Sequence, residues 1–316
     1  MERIKVFLTR HYIYIILLLF WGISAACSPF FRSLSTFSAI FVSAVPIVLI
    51  GFAQTMVVLG RGFDLSVGAM ASFATAICSV LMEKNLILAV CVIVCAGIIV
   101  GLINGIGITK FNIEPFIMTL GMMFILNGLS LILRPSPGGY ISESLKKVLM
   151  FSIGDFSLSP LIIIILTGLL GRFLLRRRAF GREIYAVGGD PKAARMSGVN
   201  VDRTRIFIFI LSSVISALAG IFIACRISSG NAEAGSRYLF DSFIVVFMGG
   251  TMVTGGIGGF TGTLAAALII ASLVHILQFM DISSWYHFIV KGVLLVMVAG
   301  IQISIYLRRR KLHEQG

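Results

Sequence analysis

The sequence predicts an all-α protein that crosses a membrane many times. Three observations carry this. Of 316 residues, 58% are hydrophobic and 12% charged, with mean hydropathy +1.03, whereas a soluble domain carries about 25% charged residues. The apolar residues fall in about ten stretches, most of them near the ~20 residues that a helix needs to cross hydrocarbon. The 26 Lys/Arg and 13 Asp/Glu collect mainly between those stretches. Such a chain could not cover a water-facing surface. Its net charge of +13 therefore reads as basic loops on one side of a bilayer, and no soluble basic face is available for nucleic acid.

The elements follow in order. Residues 1–12 are a short basic arm with Arg3, Lys5 and Arg10. The expected spans cover 13–26, 38–59, 65–82, 86–109, 115–133, 160–175, 206–225, 240–254, 261–280 and 285–307. The first ends Ser-Ala-Ala-Cys at Cys27, like a cleaved signal peptide. The run is long and further spans follow, so it is read as an uncleaved span. With the N-terminus inside, the outer segments hold Arg32, Lys84, Arg134, Lys146, Lys147, Arg226 and Arg237. Apart from Lys291 in the last span, all other cations fall inside, which places both termini in the cytoplasm. The whole chain, 1–316, is expected to be one transmembrane domain with halves at 38–133 and 206–307.

The longest polar connection, residues 176–205, falls on the cytoplasmic side. It carries Arg176, Arg177, Arg178, Arg182, Lys192, Arg195, Arg203 and Arg205 against Glu183, Asp190 and Asp202. Asp190 is placed to cap a short helix with Pro191 at its first position. Ala193 and Ala194 would give it a smooth face, Gly198 would end it, and Gly188 and Gly189 would permit the turn into it. Charge alone would hold topology without a capped helix, so the segment reads as a docking element for a soluble partner. The other long connection, 134–159, is rich in Pro, Gly and Ser, with an amphipathic stretch over 144–151. It would cap the outer mouth, receive an external partner, or be a plain solvated loop.

Other chemistries find no support. Cys27, Cys78, Cys91, Cys95 and Cys225 sit in apolar runs without acidic or His companions, and His11, His275, His287 and His313 are scattered. No metal site is expected. No GxxxxGK[ST] occurs, so ATP would have to bind another polypeptide.

Two glycine-punctuated breaks, in residues 57–70 (VVLGRGFDLSVGAM) and 245–259 (VVFMGGTMVTGGIGG), suggest a repeat. So do residues 111–116 (FNIEPF) and 280–285 (MDISSW). The two halves would have opposite orientation, and breaks of this kind point toward a transport pathway. Gly97, Gly101 and Gly105, and the pair Gly258 and Gly262, read as helix-packing faces.

Charges inside a membrane cost about 2.5 to 3.5 kcal/mol each on insertion scales. Asp64 is expected to cap the helix that follows it. Lys291 would either snorkel or pair with Asp241. Gln54, Asn104, Asn127 and Thr251, with Phe116 and Trp285 as walls, are the pathway candidates, along with Asp64 and Asp241. Each could equally serve helix packing.

Residues 60–70 (GRGFDLSVGAM) resemble the GGIDLSVGS signature of membrane permeases of ABC importers for ribose and related monosaccharides. Residues 101–133, 181–205 and 239–263 resemble the family's further segments, in the expected order. The resemblance implies the vitamin B12 importer fold type with ten spans, in a bacterial plasma (inner) membrane. It implies a second permease subunit, a cytoplasmic ATPase holding ATP and Mg, and an external solute-binding protein. It implies ATPase coupling through Gly181, Arg182, Glu183, Tyr185, Ala186, Gly188, Gly189, Asp190, Ala193, Ala194 and Gly198. This chain departs from the pattern at Arg61, Glu114, Met252 and Val253.

An ion-coupled secondary transporter would also use inverted repeats, but acids deep in the spans are few. A membrane enzyme would need a cluster of catalytic side chains, and a channel would need a charged ring or filter. The sequence shows neither.

Overall fold

The computed structural model describes residues 2–27 and 29–314, without the side chains of residues 2–11, 27, 30, 284 and 305–314. The side chains of His11, His313, Cys27, the arm cations Arg3, Lys5 and Arg10, and the tail cations Arg308, Arg309, Arg310 and Lys311 thus lie outside the described residues.

The described residues form α1 (Glu2–Cys27), a 3-10 turn (Pro29–Arg32), α2 (Leu34–Leu59), α3 (Ser66–Leu81), α4 (Leu86–Thr109) and α5 (Pro115–Leu133). Then come α6 (Glu143–Leu149), the hairpin β1 (Ser152–Ile153) and β2 (Phe156–Ser157), and α7 (Leu158–Arg177). The remainder is α8 (Ala179–Gly189), α9 (Pro191–Met196), α10 (Val201–Ile227), α11 (Arg237–Met248), α12 (Phe260–Phe279) and α13 (Ser284–Glu314). Side-chain caps start several of them. Ser33 accepts from the Thr36 amide (3.2 Å), Asn85 from Leu88 (3.0 Å) and Asn200 from Arg203 (3.0 Å).

The expected apolar stretches are helical except for the end of 240–254, and the protein is an all-α polytopic membrane protein. Among the described residues, seven helices are long and apolar enough to cross a membrane, namely α2, α4, α5, α7, α10, α12 and most of α13. α3 and α11 are shorter, and the apolar stretch Tyr12–Ala26 is part of the 26-residue α1. At 16 and 12 residues, α3 and α11 reach only roughly 24 and 18 Å, against roughly 30 Å of hydrocarbon. The stretch expected as a span over 240–254 is thus α11 followed by a glycine loop. Gly249 stops the helix where it lies against the α12 backbone at Gly262 and Thr263, and Gly250 turns at φ 86°.

α2 and α10 form the centre. The apolar window of α2 is 72% buried, against 6% for α13, so α2 lies inside the bundle while α13 lies on its outside. The end of α2 meets the start of α10, because a Cβ on Gly60 would lie 2.6 Å from Ile208 Cδ1. The two helices therefore run in opposite directions. α10 packs on α3 and α4, as α2 packs on α11 and α12, and α3 meets α5 as α11 meets α13. Left-handed residues recur at equivalent places. Arg61 (φ 65°) follows α2 and Ser228 (φ 53°) follows α10, while Asn112 (φ 51°) precedes α5 and Asp281 (φ 56°) precedes α13. The likeness of residues 111–116 and 280–285 thus has a backbone counterpart. The two glycine breaks do not. The partner of the 60–65 break is the 228–236 connection, and the glycine loop 249–259 takes the place of the tight link before α4.

Gly97, Gly101 and Gly105 face α10 along one stripe. A Cβ on Gly97 would lie 3.0 Å from Val214 Cα, and one on Gly105 2.7 Å from Ile206 Cα. Only missing side chains allow backbones this close. Gly258 is in a loop at φ 135°, so it forms no helix face with Gly262. The outer connection is tied down. Arg134 donates to Ser79 Oγ (3.0 Å) and Ser79 O (3.2 Å). Gly138 and Gly230 exchange backbone bonds of 3.0 and 2.8 Å, and the Ser157 amide donates to Ser38 Oγ (2.8 Å).

Candidate functional site

The polar connection folds as two helices, α8 and α9. Asp190 caps α9, accepting from the amides of Lys192 (2.8 Å) and Ala193 (3.3 Å). Those two amides, Ala193 first, hold its carboxyl below the usual carboxylate range. Pro191 takes the first position, and Gly198 leaves the helix at φ 84°. Ala193 and Ala194 do not share an outward face. Ala194 is buried with Val187 and Val201, while Ala193 is exposed beside Met196, which is 90% exposed. Met196 was missed in the sequence, because an isolated apolar residue in a basic loop gives no periodic signal.

Gly188 and Gly189 make no turn. They complete the last turn of α8, and the bend falls at Asp190. Gly188 is needed for closeness, because a Cβ there would collide with the Leu59 carbonyl and lie 2.6 Å from the Gly256 amide. Gly189 has open space around its Cβ position. The Gly256 amide itself donates to Leu59 O (3.0 Å). Tyr185 Oη donates to the Gly258 carbonyl (2.9 Å). The end of α8 therefore sits on both breaks at once, the end of α2 and the 249–259 loop.

The remaining residues of the segment frame this contact. Gly181 is buried where a Cβ would strike the Leu174 and Leu175 carbonyls. Glu183 accepts from Thr204 Oγ1 (3.1 Å), tying α8 to α10. Arg182 and Ala186 are exposed. Asp202 bridges Arg195 (3.0 Å) and Lys110 (3.4 Å) at the surface, where such pairs add little.

Above the first break lies a buried polar network. Asp64 Oδ1 accepts from the Ser66 amide (2.9 Å) and Ser66 Oγ (2.5 Å), and its Oδ2 accepts from Ser212 Oγ (2.8 Å). Asn104 Nδ2 donates to Ser66 Oγ (3.2 Å). Thr119 Oγ1 accepts from the Leu65 amide (3.1 Å) and has Pro115 O (2.8 Å), in its own helix, as its nearest acceptor. Leu65 fills the cap position of α3 without a side-chain bond, and Asp64, one residue ahead, accepts the first helical amide and also bolts α3 to α10. Ser212 and Thr119 lay in apolar runs with no sequence signal.

The other pathway candidates are dispersed. Gln54 is fully buried in α2, and neither atom of its amide has a protein partner. Thr251 Oγ1 accepts from the Gly259 amide (3.3 Å) and its carbonyl from Gln302 Nε2 (3.0 Å), which fixes the second break. Asn127 is half-buried on α5. Phe116 (51% exposed) and Trp285 (78% exposed) point away from the bundle interior, so within one chain they wall no cavity. Asp241 is buried, and Lys291 Nζ lies 2.7 and 2.8 Å from its two oxygens. The lysine is paired and does not snorkel.

An antiparallel helical bundle is interrupted at two breaks that meet a capped helical hairpin, and comparison with known proteins makes this a membrane permease component, a transport element. The chain belongs to the family described as branched-chain amino acid transport system / permease component, whose model matches residues 36–299. It is 33% identical to the ribose import permease protein RbsC of Haemophilus influenzae, over 97% of this chain and 96% of that one. It is 36% identical to RbsC of Bacillus subtilis, over 83% and 81%. It is 28% identical to the galactose/methyl galactoside import permease protein MglC of Haemophilus influenzae, over 98% and 99%. No solved structure matches.

Proposed function

We propose that this chain is the membrane subunit of an ATP-driven importer in a bacterial inner membrane, passing a ribose-like monosaccharide, with both termini in the cytoplasm. It works with a cytoplasmic ATPase that binds ATP and Mg, an external solute-binding protein and a second permease subunit. The whole chain acts as one transmembrane domain of two inverted halves. The observation that carries the reading is the contact of the α8 end with both breaks, at Gly188 with Leu59 and Gly256, and at Tyr185 with Gly258. An exposed, capped α9 gives a partner something rigid to push. The hydrogen-bonded α8 end passes the displacement to the two places where the membrane helices are interrupted. The names of the relatives supply the solute class.

The test is affinity purification of the tagged chain from its native membrane, alone and as Ala193→Glu with Met196→Glu. A stoichiometric ATPase that is lost in the variant supports the reading. No ATPase in either sample, with ion-dependent uptake retained, overturns it in favour of secondary transport.

A further inference from the structure

At the end of the bundle away from α8, a cavity of about 220 Å³ opens between α2, α11, α12, α13 and the end of α10. It is polar, although it lies among apolar helices. Arg226 and Arg237 line it, with Tyr238, His287 and the Asp241–Lys291 pair. Asp241 is already matched by Lys291. Among the described residues neither arginine has a carboxylate within ion-pairing distance. Three cations thus line the cavity against one anion, with His287 and His275 beside them. His275 is engaged by Ser43 (2.6 Å). His287 is only 8% exposed, and its Nε2 is buried with no protein partner. A ring nitrogen so placed would cost free energy unless something in the cavity met it.

We propose that this cavity binds a phosphate group. Arg226 and Arg237 are exposed at the cavity's edge; a guanidinium carries the paired N–H donors that phosphate oxygens accept, and the excess positive charge selects an anion over a neutral sugar. The level of the cavity agrees. Trp285 and Tyr286 project outward at the start of α13, as aromatic residues do at the headgroup layer, and Lys291 lies six residues further along. A phosphate can reach this depth either on a lipid headgroup or on a free solute. The binding is independent of which sugar is transported.

The experiment uses the full-length chain purified in neutral detergent, and two probes. Inorganic phosphate is titrated against thermal unfolding, and phosphatidylglycerol retention is read by native mass spectrometry. Saturable binding of at least one probe is expected, weakened about tenfold or more in Arg237→Gln by loss of a charge-assisted bond. The control Arg172→Gln, on α7, should bind as the parent does. Retention of the lipid alone identifies a headgroup site, and binding of inorganic phosphate identifies a solute site. Arg226 also bonds Tyr238, so Arg226→Lys accompanies Arg226→Gln to keep the charge if the neutral variant misfolds. No saturable binding of either probe, or binding unchanged in Arg237→Gln, overturns the proposal.

Discussion

The Gly256 amide donates to the Leu59 carbonyl across 3.0 Å, joining two helix breaks that lie almost two hundred residues apart in the chain. The α8 end rests on this bond, with Gly188 too close to both partners for any side chain. Movement of the cytoplasmic hairpin and movement of the breaks are thereby coupled by geometry.

The Tyr185–Gly258 bond is the polar part of that contact. Tyr185→Phe keeps the ring packing and removes one hydrogen bond, leaving the carbonyl of Gly258 short of a donor. A loss of about 1 kcal/mol is expected. It is to be read as a lower unfolding temperature, with uptake reduced more than ATPase binding.

Asp64 anchors the network between α3, α4 and α10. In Asp64→Ala the Ser66 amide and two hydroxyls lose their acceptor in the interior, at a cost of roughly 3 kcal/mol or more. Membrane levels of the protein should fall sharply. Asp64→Asn keeps one acceptor, and Ser212 can rotate to receive the amide, so its levels should lie between alanine and the parent. Equal levels of all three would remove the anchoring role.

The Asp241–Lys291 pair is buried, so its single and double variants should diverge. Lys291→Met strands a carboxylate and is expected to cost roughly 3 to 5 kcal/mol. Lys291→Met combined with Asp241→Leu removes both charges and should recover much of that loss. A double-mutant cycle on thermal unfolding measures the coupling, and additive effects would contradict the pairing.

Arg61 stands at φ 65°, a backbone conformation that glycine adopts without strain. A side chain in the left-handed region costs roughly 1–2 kcal/mol. Arg61→Gly is therefore expected to be neutral to stabilising in thermal unfolding, since glycine recovers that strain and gives part of it back in unfolded-chain entropy.

Much of this was legible in the sequence because it rests on composition and local rules. Apolar length located the helices, and the Asp190-Pro191 pair located α9. The small-residue stripe at Gly97, Gly101 and Gly105 marked a packing face on α4, and the structure supplies α10 as its partner. What escaped detection depends on contacts distant in the chain. Nothing local says that Gly188 serves closeness and not turning, because glycine suits both. Nothing local distinguishes α11 from a full span, since the glycines of 249–259 read equally as a break within a longer helix. The polar candidates were identified by type alone. Type does not tell Asn104, which joins a network at the first break, from Asn127, which is half-buried on α5 with its Oδ1 unpartnered.

The most direct test compares Gly188→Ala with Gly189→Ala in ATP-driven uptake by membrane vesicles holding the assembled importer. The substitutions are the same chemistry at adjacent residues of α8, and only at Gly188 would the added methyl strike the breaks. The account predicts near-normal uptake for Gly189→Ala. For Gly188→Ala it predicts ATPase still bound, with uptake reduced at least tenfold, which corresponds to about 1.4 kcal/mol. Parent-like uptake in Gly188→Ala, at equal protein in the membrane, would contradict it.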